Sequence, residues 1–267
     1  MKNEIVGSFT AAAFVAAALF VSPTRAAADR WEGDLLEDGA GTSNFLMPGE
    51  SQDHDLESTI ILADNDWIRI GRNNYHSYEA RVTETTFALN INGTCATCPG
   101  FDRVDAAGTV LTPSASAAVG AGVIRWIDTP GGSADQFLRI SVPPLQILGI
   151  LSGYQVELVD TSYAVPRWNN TSTQVTVYLI QNHGAASVTG NVYFFGPTGT
   201  LLHTQPFTVP SHGVEVFNTA SITALAGQSG SAIVAHTGAA GTLAGKAVAL
   251  EPGTGFTFDT PFVRNTN

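Results

Sequence analysis

Beyond residue 28 the chain has almost no helical periodicity. Its apolar residues fall in short runs, often alternating with polar ones, and Gly, Pro, Asn or Asp interrupt them about every 8–12 residues. Such a run can bury one face only by pairing into a sheet that a second layer covers. The chain is therefore expected to be all-β, with sandwich or barrel architecture. In the first half, strands are expected over 58–62, 66–71, 77–83, 86–91, 123–128, 136–142 and 154–159. In the second half they are expected over 174–181, 189–195, 201–209, 213–218, 231–236, 244–250 and 256–259. A single helical turn fits 220–226, and 29–44 reads as an extended lead-in.

Lys2 precedes an apolar run over 5–21, and Ala26 and Ala28 follow with the small-x-small spacing of a cleavage site. This is the layout of a secretory signal over 1–28. The run is interrupted by Gly7, Ser8 and Thr10 and is short for a membrane span, although a retained anchor is the alternative. No later segment is long enough to cross a bilayer as a helix, so the mature chain is expected to be secreted, on the cell surface or in the periplasm.

The 267 residues carry a net charge of −11, with only two lysines, Lys2 and Lys246. Nucleic-acid and anionic-lipid partners need basic stripes, so neither is expected. Cys95 and Cys98 lie between Asn92-Gly93 and Pro99-Gly100, a loop context. In an oxidising compartment the pair reads as a small disulfide pinching a turn. A redox-active pair is the alternative, and zinc would need further ligands that the spacing lacks.

The charge is unevenly spread. Residues 29–170 hold 19 acidic and 8 basic side chains, whereas 171–267 hold three acids and two bases. The switch falls near Tyr163-Ala164-Val165-Pro166 and reads as a boundary with a short linker. Two β-sandwich domains are expected, over 45–163 and 164–264.

Several segments of the first half carry a resemblance. They are Asp64-Asn65-Asp66-Trp67-Ile68-Arg69-Ile70, Tyr78, the hairpin pattern from Phe101 to Leu111, Trp126, Phe137-Leu138-Arg139-Ile140-Ser141-Val142 and Gly153-Tyr154-Gln155-Val156-Glu157-Leu158. Residues of about 45 to 161 resemble the bacterial pre-peptidase C-terminal domain family. These are jelly-roll-like sandwiches that follow secreted peptidases and include collagen-binding modules. From Arg167-Trp168-Asn169-Asn170 to Phe262 the chain resembles an uncharacterised Ig-like module of bacterial exported proteins. Its strands Gln174-Val175-Thr176-Val177 and 243–252 carry that likeness.

Acidic side chains form the strongest candidate site. Glu50, Asp53, Asp55 and Glu57 read as one loop, and Asp64 and Asp66 as the turn before the Trp67 strand. Calcium takes about six to eight oxygens, several from carboxylates that otherwise repel one another. The resemblance implies a calcium site at Glu50, Asp53, Asp64 and Asp66. The alternative is that these acids solubilise a lysine-poor surface.

Catalytic signatures are weak. None of the histidines (His54, His76, His183, His203, His212, His236) has metal-ligand spacing, and Gly227-Gln228-Ser229-Gly230-Ser231 misses the nucleophile elbow at its last position. Trp31, Trp168, Tyr75, Tyr78 and Phe195 are candidates for stacking on sugars, while Trp67 and Trp126 read as core. Leu145, Ile147, Leu148, Ile150 and Leu151 form an apolar insert that either caps the first core or meets a partner. The expected role is a non-catalytic extracellular structural or adhesion-type binding module, with calcium as a stabilising ion and an unknown polymer or protein partner. A carbohydrate- or fibrous-polymer-binding accessory protein is the alternative, and a secreted hydrolase assembled from distant residues is a second.

Overall fold

The computed structural model describes residues 39–56, 64–84, 100–111, 116–118, 121–132, 135–142 and 152–265. Strands dominate it, and no α-helix occurs among the described residues. No helix there is long and apolar enough to cross a membrane. In the first half the strands are β1 (Phe45–Leu46), β2 (Ser51–Leu56), β3 (Asp64–Ile70), β4 (Ser77–Glu84), β5 (Gly100–Asp105), β6 (Ser116–Ala118), β7 (Ala121–Ile127), β8 (Gln136–Val142) and β9 (Ser152–Asp160). They form two facing sheets, ordered β1-β3-β8-β5 and β2-β9-β4-β7-β6. Alternation decides which side chains enter the space between them. Ile68, Ile70, Leu138 and Ile140 come from one sheet, and Tyr78, Val82, Trp126, Tyr154, Val156 and Leu158 from the other.

The second half contributes β10 (Tyr163–Asn169), β11 (Val175–Asn182), β12 (Val188–Phe195), β13 (Leu201–Val209), β14 (Val214–Asn218), β15 (Ser229–His236), β16 (Leu243–Glu251), β17 (Phe256–Pro261) and β18 (Val263–Arg264). These pair as β13-β12-β15-β10-β18 and β14-β11-β16-β17 around a second core. Tyr178, Ile180, Val192, Phe194, Val234 and Trp168 lie at its centre. The Trp168 indole N–H donates to the Ser231 carbonyl at 2.9 Å, and its ring meets Phe194 edge-on at 5.4 Å. Gly230 pairs with Trp168 across β10 and β15, and a Cβ there would press into the Phe195 carbonyl of β12, so only glycine lets β15 close on β12.

Several sequence expectations are corrected. Residues 51–56 are a strand and not a loop, and β3 begins at Asp64. The segment at Tyr163–Pro166 is no linker: β9 ends at Asp160, β10 begins at Tyr163, and only Thr161 and Ser162 lie between. Pro166 is tolerated inside β10 because the register with β15 shifts between Val165 and Trp168. The helical turn expected at 220–226 is two 3₁₀ turns, Thr219–Ser221 and Thr223–Leu225. The expected strands at 58–62 and 86–91, Cys95, Cys98, and the insert from Leu145 to Leu151 lie outside the described residues.

Candidate functional site

Of the four acids singled out for calcium, Glu50, Asp53 and Asp66 have described side chains, and each has its own partner. Asp53 projects outward from β2, where its carboxylate accepts from the Gln155 amide at 3.0 Å. Asp66 is buried on β3 and accepts from the Tyr154 hydroxyl of the facing sheet. Glu50 accepts from the Met47 N–H at 2.9 Å, closing its own turn. That turn follows β1, which pairs with Arg69 and Ile70 at the end of β3, whereas Asp64 opens β3. The Asp64 and Asp55 side chains and all of Glu57 lie outside the described residues. Among the described residues no three His, Cys, Asp or Glu side chains are grouped to hold a metal.

A different polar cluster forms where the two sandwiches meet. The His76 Nδ1 lies 2.7 Å from the Asp160 Oδ2 and 3.1 Å from the Ser162 Oγ. Ser162 donates to the Asp160 Oδ1 at 2.5 Å and accepts from the Asn265 amide at 3.0 Å. The residue types are those of a hydrolytic triad, but the wiring differs. A triad needs the imidazole between serine and acid, one at each ring nitrogen. Here serine and acid meet the same nitrogen, and the serine hydroxyl is spent on the carboxylate. Ser162 is completely buried, with the Asn265 amide over its oxygen. The cluster joins the β9–β10 connection to the β3–β4 loop and to the chain's last described residue.

Two further contacts tighten this joint. Glu79 on β4 is fully buried and takes ion pairs from Arg81 and Arg125. It also accepts from the Ala240 N–H of the second sandwich at 3.2 Å. Burial alone would raise the Glu79 carboxyl, but hydrogen bonds and charge from Arg125 and Arg81 outweigh it and hold it below the ordinary carboxylate range. The loop carrying Ala240 turns back at Gly241, whose φ of 80° suits glycine. Tyr75, at φ 69°, sends its ring across the joint to Tyr193 at 4.9 Å and Phe195 at 5.2 Å. His236 is buried beside this joint. Burial pushes it down to about 4, against the opposing pull of the Thr161 carbonyl and Glu79, while Arg125 and Arg264 add to the depression.

The aromatic residues proposed for stacking are thus accounted for differently. Trp168 and Tyr78 are core side chains, and Tyr75 and Phe195 belong to the joint. Trp31 lies outside the described residues. The most exposed rings are elsewhere. Phe256 and Phe258, at 77% and 55% exposure, sit two residues apart on the edge strand β17. They line a groove of about 200 Å³ together with Arg167, Gln174, Glu251 and Leu250. The Arg167 guanidinium stands over the Phe258 ring at 6.0 Å. The strand at 256–259 is legible in the sequence, whereas the reach of Arg167 to it from the opposite sheet arises only in the fold. No family model matches the chain, and no curated protein matches it.

Proposed function

We propose that this chain is an exported, non-catalytic module of structural or adhesion type, in which two β-sandwiches act as one rigid body. The wiring of Ser162, His76 and Asp160 carries the reading. The Ser162 hydroxyl is buried and bound to the Asp160 carboxylate, His76 meets both through one ring nitrogen, and together they tie the two sandwiches to each other. Buried polar groups that satisfy one another stiffen and orient the elements that hold them. Glu79 with its two arginines and the Tyr75 ring do the same work alongside. The leader-like residues 1–28 support export, and the resemblance of 45–161 to pre-peptidase C-terminal domains points to the same non-catalytic class. The reading does not require calcium: Glu50, Asp53 and Asp66 each accept a hydrogen bond from a separate residue of the fold.

The test is to treat the mature protein with a fluorophosphonate that labels activated serines and to assay it on a panel of small esters. No labelling and no turnover are expected. Labelling that Ser162→Ala removes would overturn the reading in favour of a hydrolase.

A further inference from the structure

The groove at the edge of the second sandwich has the chemistry of a carbohydrate site. We infer that Phe256, Phe258, Arg167, Gln174 and Glu251 bind a neutral polysaccharide; this rests on the module being a binding protein and names its ligand class.

The rings come first. Burial in a core would be the ordinary fate of two phenylalanines in a strand, yet both lie largely in water. Alternate residues of a strand face the same side, so the two rings are set about 7 Å apart along β17. Both line the same groove, with Thr257 between them. A row of two rings offers successive apolar faces, and a pyranose presents a matching apolar face of C–H groups.

Polar groups at the rim select for charge. Arg167 and Glu251 are the groove's charged lining residues, and they balance. The Glu251 Oε1 accepts from the Thr173 hydroxyl at 2.5 Å and from the Gly253 N–H at 3.4 Å, which fixes the carboxylate at the rim. The Gln174 amide oxygen is bound by Asn169, so its N–H end is the one turned over to a ligand. Arg167 offers a flat fork of donors, and Glu251 a charged acceptor. Hydroxyl groups, each both donor and acceptor, suit this mixture; a polyanion would meet Glu251, and an alkyl chain would strand the rim. A small set of placed polar groups around aromatic walls is the usual composition of a ligand cleft.

The experiment is native electrophoresis of the mature full-length protein through gels containing mixed-linkage β-glucan, xylan, galactomannan or dextran, with polygalacturonate as the acidic control. At least one neutral polysaccharide is expected to retard the wild type, and polygalacturonate is not. Phe258→Ala is expected to weaken the retardation about tenfold or more, and Phe256→Ala with Phe258→Ala to abolish it. Arg167→Ala is expected to weaken it about tenfold. All three variants should keep the wild-type melting temperature, since these side chains project into solvent. The inference is overturned if no neutral polysaccharide retards the protein, if the phenylalanine variants migrate like the wild type, or if only polygalacturonate retards it. Any of those results leaves the inert Ser162 and the non-catalytic reading standing. Labelling of Ser162 removes that reading without touching the retardation.

Discussion

Glu79 sits fully buried with a negative charge, and two arginines and the Ala240 amide account for its stability there. Neutralising it leaves those donors without their acceptor, the costly half of a broken pair. Arg81 and Arg125 are each about one-third exposed and can turn to water, which moderates the loss. Glu79→Gln is expected to lower stability by about 2 kcal/mol, read as a shift of the urea midpoint. A change within about 0.5 kcal/mol would show the joint does not depend on this charge. His236 sets the acid limit. Its folded value of about 4 lies below the ordinary value near 6.5, so between these two the unfolded chain holds a proton that the folded chain does not. Stability therefore falls as pH drops from about 6.5 towards 4, by about 1.4 kcal/mol per pH unit at most. Glu79, held low, acts in the same direction but later: its contribution is present above the unfolded value and is lost only as pH falls through the folded one. Urea denaturation at a series of pH values should show this slope in the wild type and a flatter one in His236→Gln. Equal slopes would assign the acid sensitivity elsewhere.

The loop between β3 and β4 shows how an element can hold strain for a contact. Tyr75 is not a glycine, yet it adopts a left-handed backbone, and its ring fills the gap beside Tyr193 and Phe195. A position like this costs about 1–3 kcal/mol locally. Tyr75→Ala loses the ring and keeps the strain, whereas Tyr75→Gly loses the ring and relaxes the backbone. Both should be destabilised, and the glycine variant should be the more stable of the two by about 1 kcal/mol. A more stable alanine variant would mean that the backbone escapes this conformation once the ring is gone. The same loop shows what sequence could not reveal. Strands of the second half were legible because Val, Thr and Tyr alternate in β11 and β12. The sequence of β2 looks like a loop because its inward residues are polar: Gln52 and His54 are buried, and His54 stacks on Tyr154 at 5.3 Å. Hydrophobic alternation cannot signal a strand whose core face is Gln and His. The segment Tyr163–Pro166 reads as a linker because the charge balance switches there, yet charge says nothing of strand pairing, and the bulge that accommodates Pro166 exists only against β15. Joint residues Tyr75, His76, Glu79, Ser162 and Asn265 are brought together by topology alone, and the pairing of Arg167 with β17 likewise crosses two sheets.

The whole molecule couples a strongly acidic sandwich to a nearly neutral one through a joint with no flexible linker. Breaking the joint would leave Glu79 and the Ser162 cluster partly unsatisfied, so neither sandwich can melt without cost to the other. Calorimetry of the mature protein is therefore expected to show one transition, and two well-separated ones would place the sandwiches on independent footings. Calcium tests the acidic half separately. A calcium ion draws its oxygens to about 2.3–2.6 Å, so its ligands must lie within about 5 Å of one another. Asp66 points into the core towards Tyr154, while Asp53 points out of the facing sheet towards Gln155. Glu50 flanks the far end of β3 from Asp64, about 20 Å away along a strand rising about 3.4 Å per residue. Glu50, Asp53 and Asp66 are thus each turned to a different partner, and the Asp64 side chain lies outside the described residues. The melting temperature in millimolar calcium is expected to match that in chelator to within about a degree, since a site filled a hundredfold above its dissociation constant would add about 2.7 kcal/mol and move it several degrees. A rise of that size, removed by Asp64→Ala but not by Asp53→Ala, would put an ion at the Asp64 end of β3 with a different set of partners. It would make the acidic sandwich a metal-stabilised unit, whereas no rise leaves its charge to solvation and its rigidity to the joint.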